Sequence, residues 1–279
     1  MPQLPMEGIR VLDSTYVFAL PYTGGLLADF GAEVIKIEGP AHPDTTRNSG
    51  LAGSYPEHDL GDDPWNRPST YNLLHRGKQS LTLDMTDPRG RDLFRDMVRV
   101  SDVVMENFTP RVMRAWELDY PNLRKIKPDI ILVSNTGFGH GGGPYSNNPA
   151  QATTLEGMHG HCWITGYDGD GPNRVGASFV DFLSTWTALF AIGSALRYRS
   201  RTGQGQWADI AMYQAGVMFM SDYLMDAISN GRDGERIGNR HPYRAPQGCY
   251  PAQGDNEWIA LSVGTDEQWQ SLCTVLGRE

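Results

Sequence analysis

The first forty residues alternate between strand-like and helix-like segments, and this alternation is the strongest constraint on the fold. IRVLD at 9–13 and EVIKIE at 33–38 are short β-branched runs typical of buried strands. Between them lie a glycine pair at 24–25, an apolar stripe and a stop at Gly31, which together predict a helix. Strand, helix and strand in so short a stretch form the βαβ unit of a parallel sheet, with a right-handed crossover.

The same alternation continues to residue 139. The expected strands are at 78–85, 102–108 and 129–139, and the expected helices are at 87–102 and 110–128. Residues 39–70 are rich in Gly, Pro, Asp and Ser and predict a long loop that is functional or mobile. We therefore predict an α/β fold with a doubly wound, mostly parallel, Rossmann-like sheet. Ligands in such folds bind beyond the carboxyl ends of the strands.

The second half of the chain predicts more helix and the start of a second domain. Residues 151–230 are mainly helical, with one long apolar helix at FVDFLSTWTALFAIGSALRYRSRTG and a strand at 204–212. Residues 238–264 predict a loop and a hairpin, and a helix begins at Thr265. We assign 1–220 to a large α/β domain and 221–279 to a linker and an incomplete smaller α+β domain.

Composition excludes several classes of function. The chain carries 33 acidic and 24 basic residues, a net charge of -9, which argues against a nucleic-acid-binding protein. Its three cysteines form no CxxC pair, and neither they nor the scattered histidines have metal-ligand spacing, so we expect no metal site. The N-terminus lacks a signal sequence and we find no membrane-spanning run, which predicts a soluble cytoplasmic protein.

The glycine-rich segments match no standard nucleotide motif. The helix start at 24–25 lacks GxGxxG, so we do not expect an NAD site. GFGHGGGP at 137–144 is not GxxxxGK[ST], which leaves a turn or an anion-binding loop as alternatives. The GxSxG elbow of serine hydrolases is also missing from the sequence.

One acidic residue, Asp181, lies within a long apolar run. Burial of an unpaired carboxylate is costly, so its presence there requires a reason. It could be the N-cap of the helix that follows, because aspartate is a preferred cap. It could instead be a nucleophile at the mouth of a pocket. The two interpretations are compatible, since a helix N-terminus also stabilises an anion.

Several segments, in order along the whole chain, resemble the class III (CaiB/BaiF-type) CoA-transferases. They are IRVLDSTYVFALPYTGGLLADFGAEVIKIEGP, RGKQSLTLDMTDPRGRDLF, SDVVMENFTPRVM, GFGHGGGPY, VGASFVDFLSTWTALFAIGSALRYRSRTGQGQWADIAM and GNRHPYRAPQGCYPA. The resemblance implies an enzyme that moves CoA from an acyl-CoA thioester to a carboxylic acid. It implies that Asp181 attacks the thioester and that an aspartyl anhydride and an aspartyl-CoA thioester follow. It also implies an interlocked dimer.

The resemblance extends to further site residues. Gly238 and Asn239 would cover the intermediates with their backbone N–H groups, as developing charge requires. The residues expected to hold CoA, here a substrate and carrier, are Leu74, Lys78, Asn107, Arg111 and Arg114. Arginine suits phosphate, although both arginines are equally consistent with solvated helix charge.

The sequence also departs from the family pattern. Phe18 and Gly39 stand where formyl-CoA transferase has a glutamine and an arginine that hold CoA, and Arg47 could supply part of the missing charge. The racemases of the same family use a histidine in a GHD-type segment, and the corresponding stretch here, NNPAQATTLEG, has none. This difference favours CoA transfer, with a 2-methylacyl-CoA racemase or epimerase as the alternative.

Length and loop composition leave two further expectations. Family members continue beyond LGRE, so the chain is expected to be C-terminally short: a truncated product, a subunit completed by a partner chain, or a non-catalytic subunit. The aromatic residues Tyr145, Trp163 and Tyr243 in the predicted specificity loops favour a bulky or apolar acyl group over oxalate.

Overall fold

A six-stranded parallel sheet organises the larger part of the computed structural model, which describes residues 4–48, 53–176 and 178–278. Its strands are β1 (Arg10–Asp13), β2 (Glu33–Glu38), β3 (Gln79–Thr82), β4 (Val103–Glu106), β5 (Ile131–Thr136) and β6 (Trp207–Ala211). They lie in the order β3-β2-β1-β4-β5-β6. This is the doubly wound Rossmann-type order, so the predicted fold class is confirmed.

The helices follow the predicted alternation, and the segment predicted to be helical at 110–128 forms two separate helices. They are α1 (Ala19–Asp29), α2 (Ser69–His75), α3 (Pro88–Arg99), α4 (Pro110–Ala115), α5 (Tyr120–Ile126), α6 (Ala152–Met158), α7 (His161–Ile164), α8 (Phe179–Thr202), α9 (Met212–Phe219), α10 (Ser221–Asn230) and α11 (Asp266–Val275). Three short 3-10 turns at Thr45–Arg47, Pro56–His58 and Pro64–Asn66 interrupt the predicted long loop.

The chain divides into two compact units. The first comprises residues up to 159 together with 176–219, and the second comprises 160–175 and the chain from 220 onward. The predicted large domain included 160–175, which this division places in the second unit. The second unit contains α7, α10, α11 and an antiparallel pair, β7 (Gln247–Pro251) and β8 (Trp258–Ser262). Thr265 caps α11 by accepting a hydrogen bond from the Gln268 N–H (3.3 Å), as its sequence predicts.

Side chains alternate between the two faces of the sheet and build one core on each. Val11, Met105 and Val133 pack with α1 and α8 on the first face. Leu12, Val104 and Leu132 pack with α3, α4 and α5 on the second face. The central strands β1, β4 and β5 are therefore buried on both sides, which is why they read as short apolar runs in the sequence.

Contrary to the expectation of no membrane-spanning run, helix α8 is long and apolar enough to span a membrane by length and composition alone, and a third of that stretch is buried inside the protein. Its residues Ala188, Ile192 and Ala195 belong to the core on the first face of the sheet. The interpretation of Asp181 as the helix N-cap is wrong. The cap position is Ser178, with a left-handed backbone (φ 60°), and Asp181 is the third helical residue.

Strands β1 and β4 are neighbours although two strands of the sheet, β2 and β3, separate them in sequence. Strand order reverses between them, and the crevice outside the carboxyl ends at such a point is where doubly wound folds bind ligands. The segment after β1 (residues 14–18) and Asn107 after β4 both lie at this point. The topology therefore predicts a ligand-binding site at the N-terminus of α1 and the residues around it.

Candidate active site at the start of helix α8

The carboxyl group of Asp181 lies in the first turn of α8 and is partly buried. Burial, followed by the negative charge of Glu156, raises the pKa of Asp181 from 3.8 to about 7. Hydrogen bonds from the backbone N–H groups of Ala19 and Asp181 and from Ser178 act in the opposite direction. A carboxylate that is poorly solvated and ionises near neutral pH is suited to nucleophilic chemistry.

Two helix N-termini meet at this carboxyl group. Asp181 belongs to the first turn of α8, and the backbone N–H of Ala19, the first residue of α1, is near enough to lower its pKa. The Thr185 hydroxyl donates to the Ala19 carbonyl (2.7 Å) and holds α1 against α8. Because helix N-termini carry partial positive charge, the pair favours an anion at this position.

Glu156 supports the start of α8 from α6. Its side chain is fully buried, and Oε1 accepts a hydrogen bond from the Phe179 N–H (3.0 Å). Its Oε2 atom is buried without a hydrogen-bond partner in the described part of the chain. Sequence reasoning missed Glu156, because the only available signal was a lone acid, 25 residues before Asp181, in an otherwise apolar and small-residue helix.

The side-chain amide of Asn107 is hydrogen-bonded to the backbone of the segment after β1. Its Oδ1 accepts from the Tyr16 N–H (2.9 Å), and its Nδ2 donates to the Tyr16 carbonyl (2.7 Å). The amide thus pairs with one backbone residue in both directions and fixes the segment that leads into α1. The predicted contact of Asn107 with CoA stays a prediction.

Lys78 and Leu74 are both buried. The Lys78 ammonium lies 2.6 Å from Asp13 Oδ2 and 2.7 Å from the Pro21 carbonyl, and its side chain is 1% exposed. Gly24 makes this approach possible, because a Cβ there would lie 2.8 Å from Asp13 Oδ2. Leu74 has no exposed surface. Their predicted roles toward CoA are untested, but in this structure the Lys78 charge is already paired within the protein.

Arg47 is likewise engaged by other residues. It forms two hydrogen bonds with the Glu38 carboxylate (2.9 and 2.7 Å), and its guanidinium lies 3.7 Å from the centre of the Tyr71 ring. Its charge is balanced inside the protein, so the suggestion that it supplies charge for CoA gains no support here. Arg111 and Arg114, in α4, are both exposed and available to solvent.

Arg114 lines a cavity of about 180 Å³ on the second face of the sheet. Glu106 and Ser134, register partners on β4 and β5, line this cavity, and Asp209 is the register partner of Ser134 on β6, so the three form a polar row across adjacent strands. His140 bridges this row, with Nδ1 2.9 Å from Asp209 and Nε2 3.7 Å from Glu106. Burial raises the pKa of Glu106 to about 7. The glycine-rich run at 137–144 thus positions His140, which neither predicted alternative anticipated.

Gly238 and Asn239 belong to the second structural unit. With Arg240 and the β7–β8 hairpin they line a concavity of about 350 Å³. Gly238 has a left-handed backbone (φ 57°), and Asn239 Nδ2 donates to the Tyr167 hydroxyl (3.1 Å). Their predicted role over the intermediates of Asp181 stays a prediction.

The part of the chain that the structure describes contains no cluster of three or more His, Cys, Asp or Glu residues able to hold a metal ion. The titratable groups described above form an ion pair, Lys78 with Asp13, and a row in which His140 lies between Glu106 and Asp209.

Comparison with known proteins gives consistent matches along the chain. The model of CoA-transferase family III matches residues 6–279. Acetyl-CoA:oxalate CoA-transferase of Acetobacter aceti is 37% identical over 277 residues, covering 99% of this chain and 68% of the relative. Succinate–glutarate CoA-transferase of Agrobacterium fabrum is 35% identical over 273 residues, covering 98% and 66%.

A solved structure gives the same result. The CAIB/BAIF family protein from Brucella suis superimposes with a TM-score of 0.85 at 34% identity, over 99% of this chain and 70% of that one. The chain thus spans about two thirds of the length of the relatives it matches.

Proposed function

The chain belongs to CoA-transferase family III, and from this we propose that it transfers CoA from an acyl-CoA thioester to a carboxylic acid with Asp181 as the nucleophile. One observation carries the proposal: the Asp181 carboxyl group lies in the first turn of α8, beside the first residue of α1. A nucleophile needs exposure to substrate, a matched pKa and nearby donors.

The proposed reaction has four steps. An Asp181 oxygen attacks the thioester carbonyl, and CoA leaves as a thiolate, giving a mixed anhydride. The thiolate attacks the aspartyl carbonyl, and the donor acid leaves as a carboxylate, giving an aspartyl-CoA thioester. The acceptor carboxylate then attacks this thioester and expels the thiolate. The thiolate finally attacks the acceptor carbonyl, which releases the new acyl-CoA and the free Asp181 carboxylate.

The surroundings of Asp181 support the first step through its pKa and the later steps through nearby hydrogen-bond donors. The first attack requires an ionised Asp181, which a pKa of about 7 supplies at and above neutral pH. Every later step develops negative charge on an oxygen of the aspartyl group or of its acyl partner. The Ala19 N–H and the two helix N-termini are fixed donors beside that group, and preorganised donors need no reorganisation as charge develops.

We propose a dicarboxylic acid as the acceptor. The names of the two curated relatives refer to oxalate in one case and to succinate and glutarate in the other, all of them dicarboxylic acids. The apolar acyl group suggested by Tyr145, Trp163 and Tyr243 is the competing proposal. Acetyl-CoA or succinyl-CoA, offered with oxalate, glutarate or benzoate, would separate the two by the mass of the new thioester. Deuterium uptake at the α-carbon of a 2-methylacyl-CoA, without any new thioester, would favour the racemase instead.

The dimeric state and the cytoplasmic location implied earlier belong to this proposal as well. A dimer is expected because the family resemblance implies interlocked chains. Light scattering on the purified protein would give the number of chains per particle directly, and a strictly monomeric active enzyme would contradict this part of the proposal.

Replacing Glu156 by glutamine is expected to lower the pH at which transfer reaches half its maximum rate. The negative charge of Glu156 raises the pKa of Asp181, so its removal lets Asp181 ionise at lower pH. The pH dependence of kcat/KM for acyl-CoA measures this shift. The exposed Glu117→Gln variant serves as the control. An unchanged or upward-shifted profile in the Glu156 variant would contradict the assignment of that profile to Asp181.

A further inference from the structure

The segment between β1 and α1 contains an unusual backbone conformation next to the candidate nucleophile. Val17 has a left-handed backbone (φ 74°), although its side chain is β-branched. Such a residue is a genuine outlier in this region, and the conformation costs on the order of 1–3 kcal/mol. A strained residue persists only where its surroundings fix it, so other contacts must hold Val17 in this conformation.

The buried carboxylate of Asp44 is the side chain that holds Val17. Asp44 Oδ2 accepts the Val17 N–H (3.2 Å), and Asp44 Oδ1 accepts both the N–H (3.0 Å) and the hydroxyl (2.8 Å) of Thr46. Asp44 has no exposed surface. Together with the pairing of Asn107 and Tyr16, this contact fixes two consecutive backbone units before α1.

Asp44 is kept ionised within this buried setting. Lys36 Nζ and His75 Nε2 each lie 3.5 Å from Asp44 Oδ2. Burial opposes ionisation of Asp44, but His75 and the Lys36 charge prevail and hold its pKa well below the usual range. Lys36 also donates to the Thr15 carbonyl, so the same lysine joins Asp44 to the segment that it holds.

This arrangement determines the backbone orientation at Ala19, two residues after Val17. The Ala19 N–H is the first of α1 and is one of the groups that lower the pKa of Asp181. The Thr185 hydroxyl holds Ala19 beside the first turn of α8, because it contacts both the Ala19 carbonyl (2.7 Å) and the Asp181 carbonyl (3.0 Å). The direction of the Ala19 N–H depends on the backbone of Val17 and Phe18. We infer that Asp44 is a positioning residue for the proposed transfer reaction: it holds Val17 in the left-handed conformation and thereby aims the Ala19 N–H at Asp181 and its acyl intermediates. This inference rests on the proposed role of Asp181.

The test is the Asp44→Asn variant. In Asp44 one carboxylate oxygen accepts from Val17 and the other from Thr46. Asparagine has only one oxygen that can accept, so either the Val17 or the Thr46 contact is lost. We expect kcat to fall on the order of 10- to 100-fold, less than for complete removal of one preorganised donor, with little change in KM for acyl-CoA. The half-maximal pH should also rise, because the Ala19 N–H no longer lowers the pKa of Asp181 while Glu156 still raises it.

A second substitution distinguishes positioning from general damage to the fold. Glycine adopts positive φ without strain, so Val17→Gly in the Asp44→Asn background should recover part of kcat and move the pH profile back. If Asp44→Asn fails to fold, Thr46→Val, which loosens Asp44 while keeping its charge, should shift the profile upward by a smaller amount. A folded Asp44→Asn or Thr46→Val protein with the parental kcat and pH profile overturns the inference. Transfer by an Asp181→Asn protein would instead overturn the proposed function itself.

Discussion

Replacing Asp181 by asparagine is expected to abolish CoA transfer and, at pH 8, to make the folded protein more stable. The loss of the nucleophile should lower kcat on the order of 10⁴-fold. The gain in stability follows from the pKa of about 7 against an ordinary value of 3.8. Between these two values the folded state binds more protons than the unfolded chain, so stability falls as pH rises through this window.

The penalty is complete above pH 7, and asparagine removes it. We expect a gain of about 2–4 kcal/mol in the free energy of unfolding at pH 8 and almost none at pH 4, measured by urea denaturation at both values. Asp96→Asn, at an exposed aspartate in α3, should change neither activity nor stability appreciably. An Asp181→Asn protein that is less stable than the parent at pH 8 would show that the carboxylate is a structural anchor.

Replacing Lys78 by methionine is expected to destabilise the protein by about 3–5 kcal/mol, because it leaves the Asp13 carboxylate buried without its partner. Asp13 has no exposed surface, and the Lys78 ammonium supplies its 2.6 Å ion pair. The free energy of unfolding by urea is the measurement. Lys125→Met, at an exposed lysine of α5, should cost far less.

The double variant Asp13→Asn/Lys78→Met should recover much of this loss, because no uncompensated charge remains. The same proteins also test the predicted contact of Lys78 with CoA. If Lys78→Met raised KM for acyl-CoA severalfold while leaving the free energy of unfolding unchanged, Lys78 would be a CoA ligand and its pairing with Asp13 would be of little consequence.

The sheet and most helices could be predicted from the sequence, because their signals are local. β4 and β5 are apolar β-branched runs, the break between α4 and α5 follows from Pro121, and Thr265 is a helix cap by residue type. These features depend on residues within one turn or one strand. The family resemblance added Asp181 as the candidate nucleophile, which residue patterns alone left open between two interpretations.

The environment of Asp181 could not be predicted in this way, because it is built by contacts between residues far apart in the chain. The Thr185 hydroxyl reaches the Ala19 carbonyl across 166 positions, and Asn107 reaches Tyr16, in the segment that leads into α1, across 91. Hydrophobic periodicity reflects only local structure, so it does not predict contacts between residues that are far apart in the chain. The N-cap was misassigned for a related reason: Ser178 takes the cap position with a left-handed backbone and makes no side-chain cap bond, so residue preference gave no guidance.

The same limit applies to the predicted CoA ligands. Lysine, asparagine and arginine near the ends of strands are reasonable ligands for a phosphate-bearing molecule. Residue type does not reveal whether such a side chain is already paired within the protein. Lys78, Asn107 and Arg47 all have internal partners here, whereas Arg111 and Arg114 are exposed. The two exposed arginines are therefore the stronger candidates for contact with CoA phosphates.

The most direct test of the central claim follows an oxygen atom. If acceptor carboxylate attacks an aspartyl-CoA thioester, one of its oxygens stays on Asp181 when the new acyl-CoA is released. Turnover with an acceptor acid labelled with ¹⁸O in its carboxylate should therefore place ¹⁸O in the peptide that contains Asp181, as detected by mass spectrometry. CoA transfer that proceeds with no label in that peptide would contradict the proposed covalent role of Asp181.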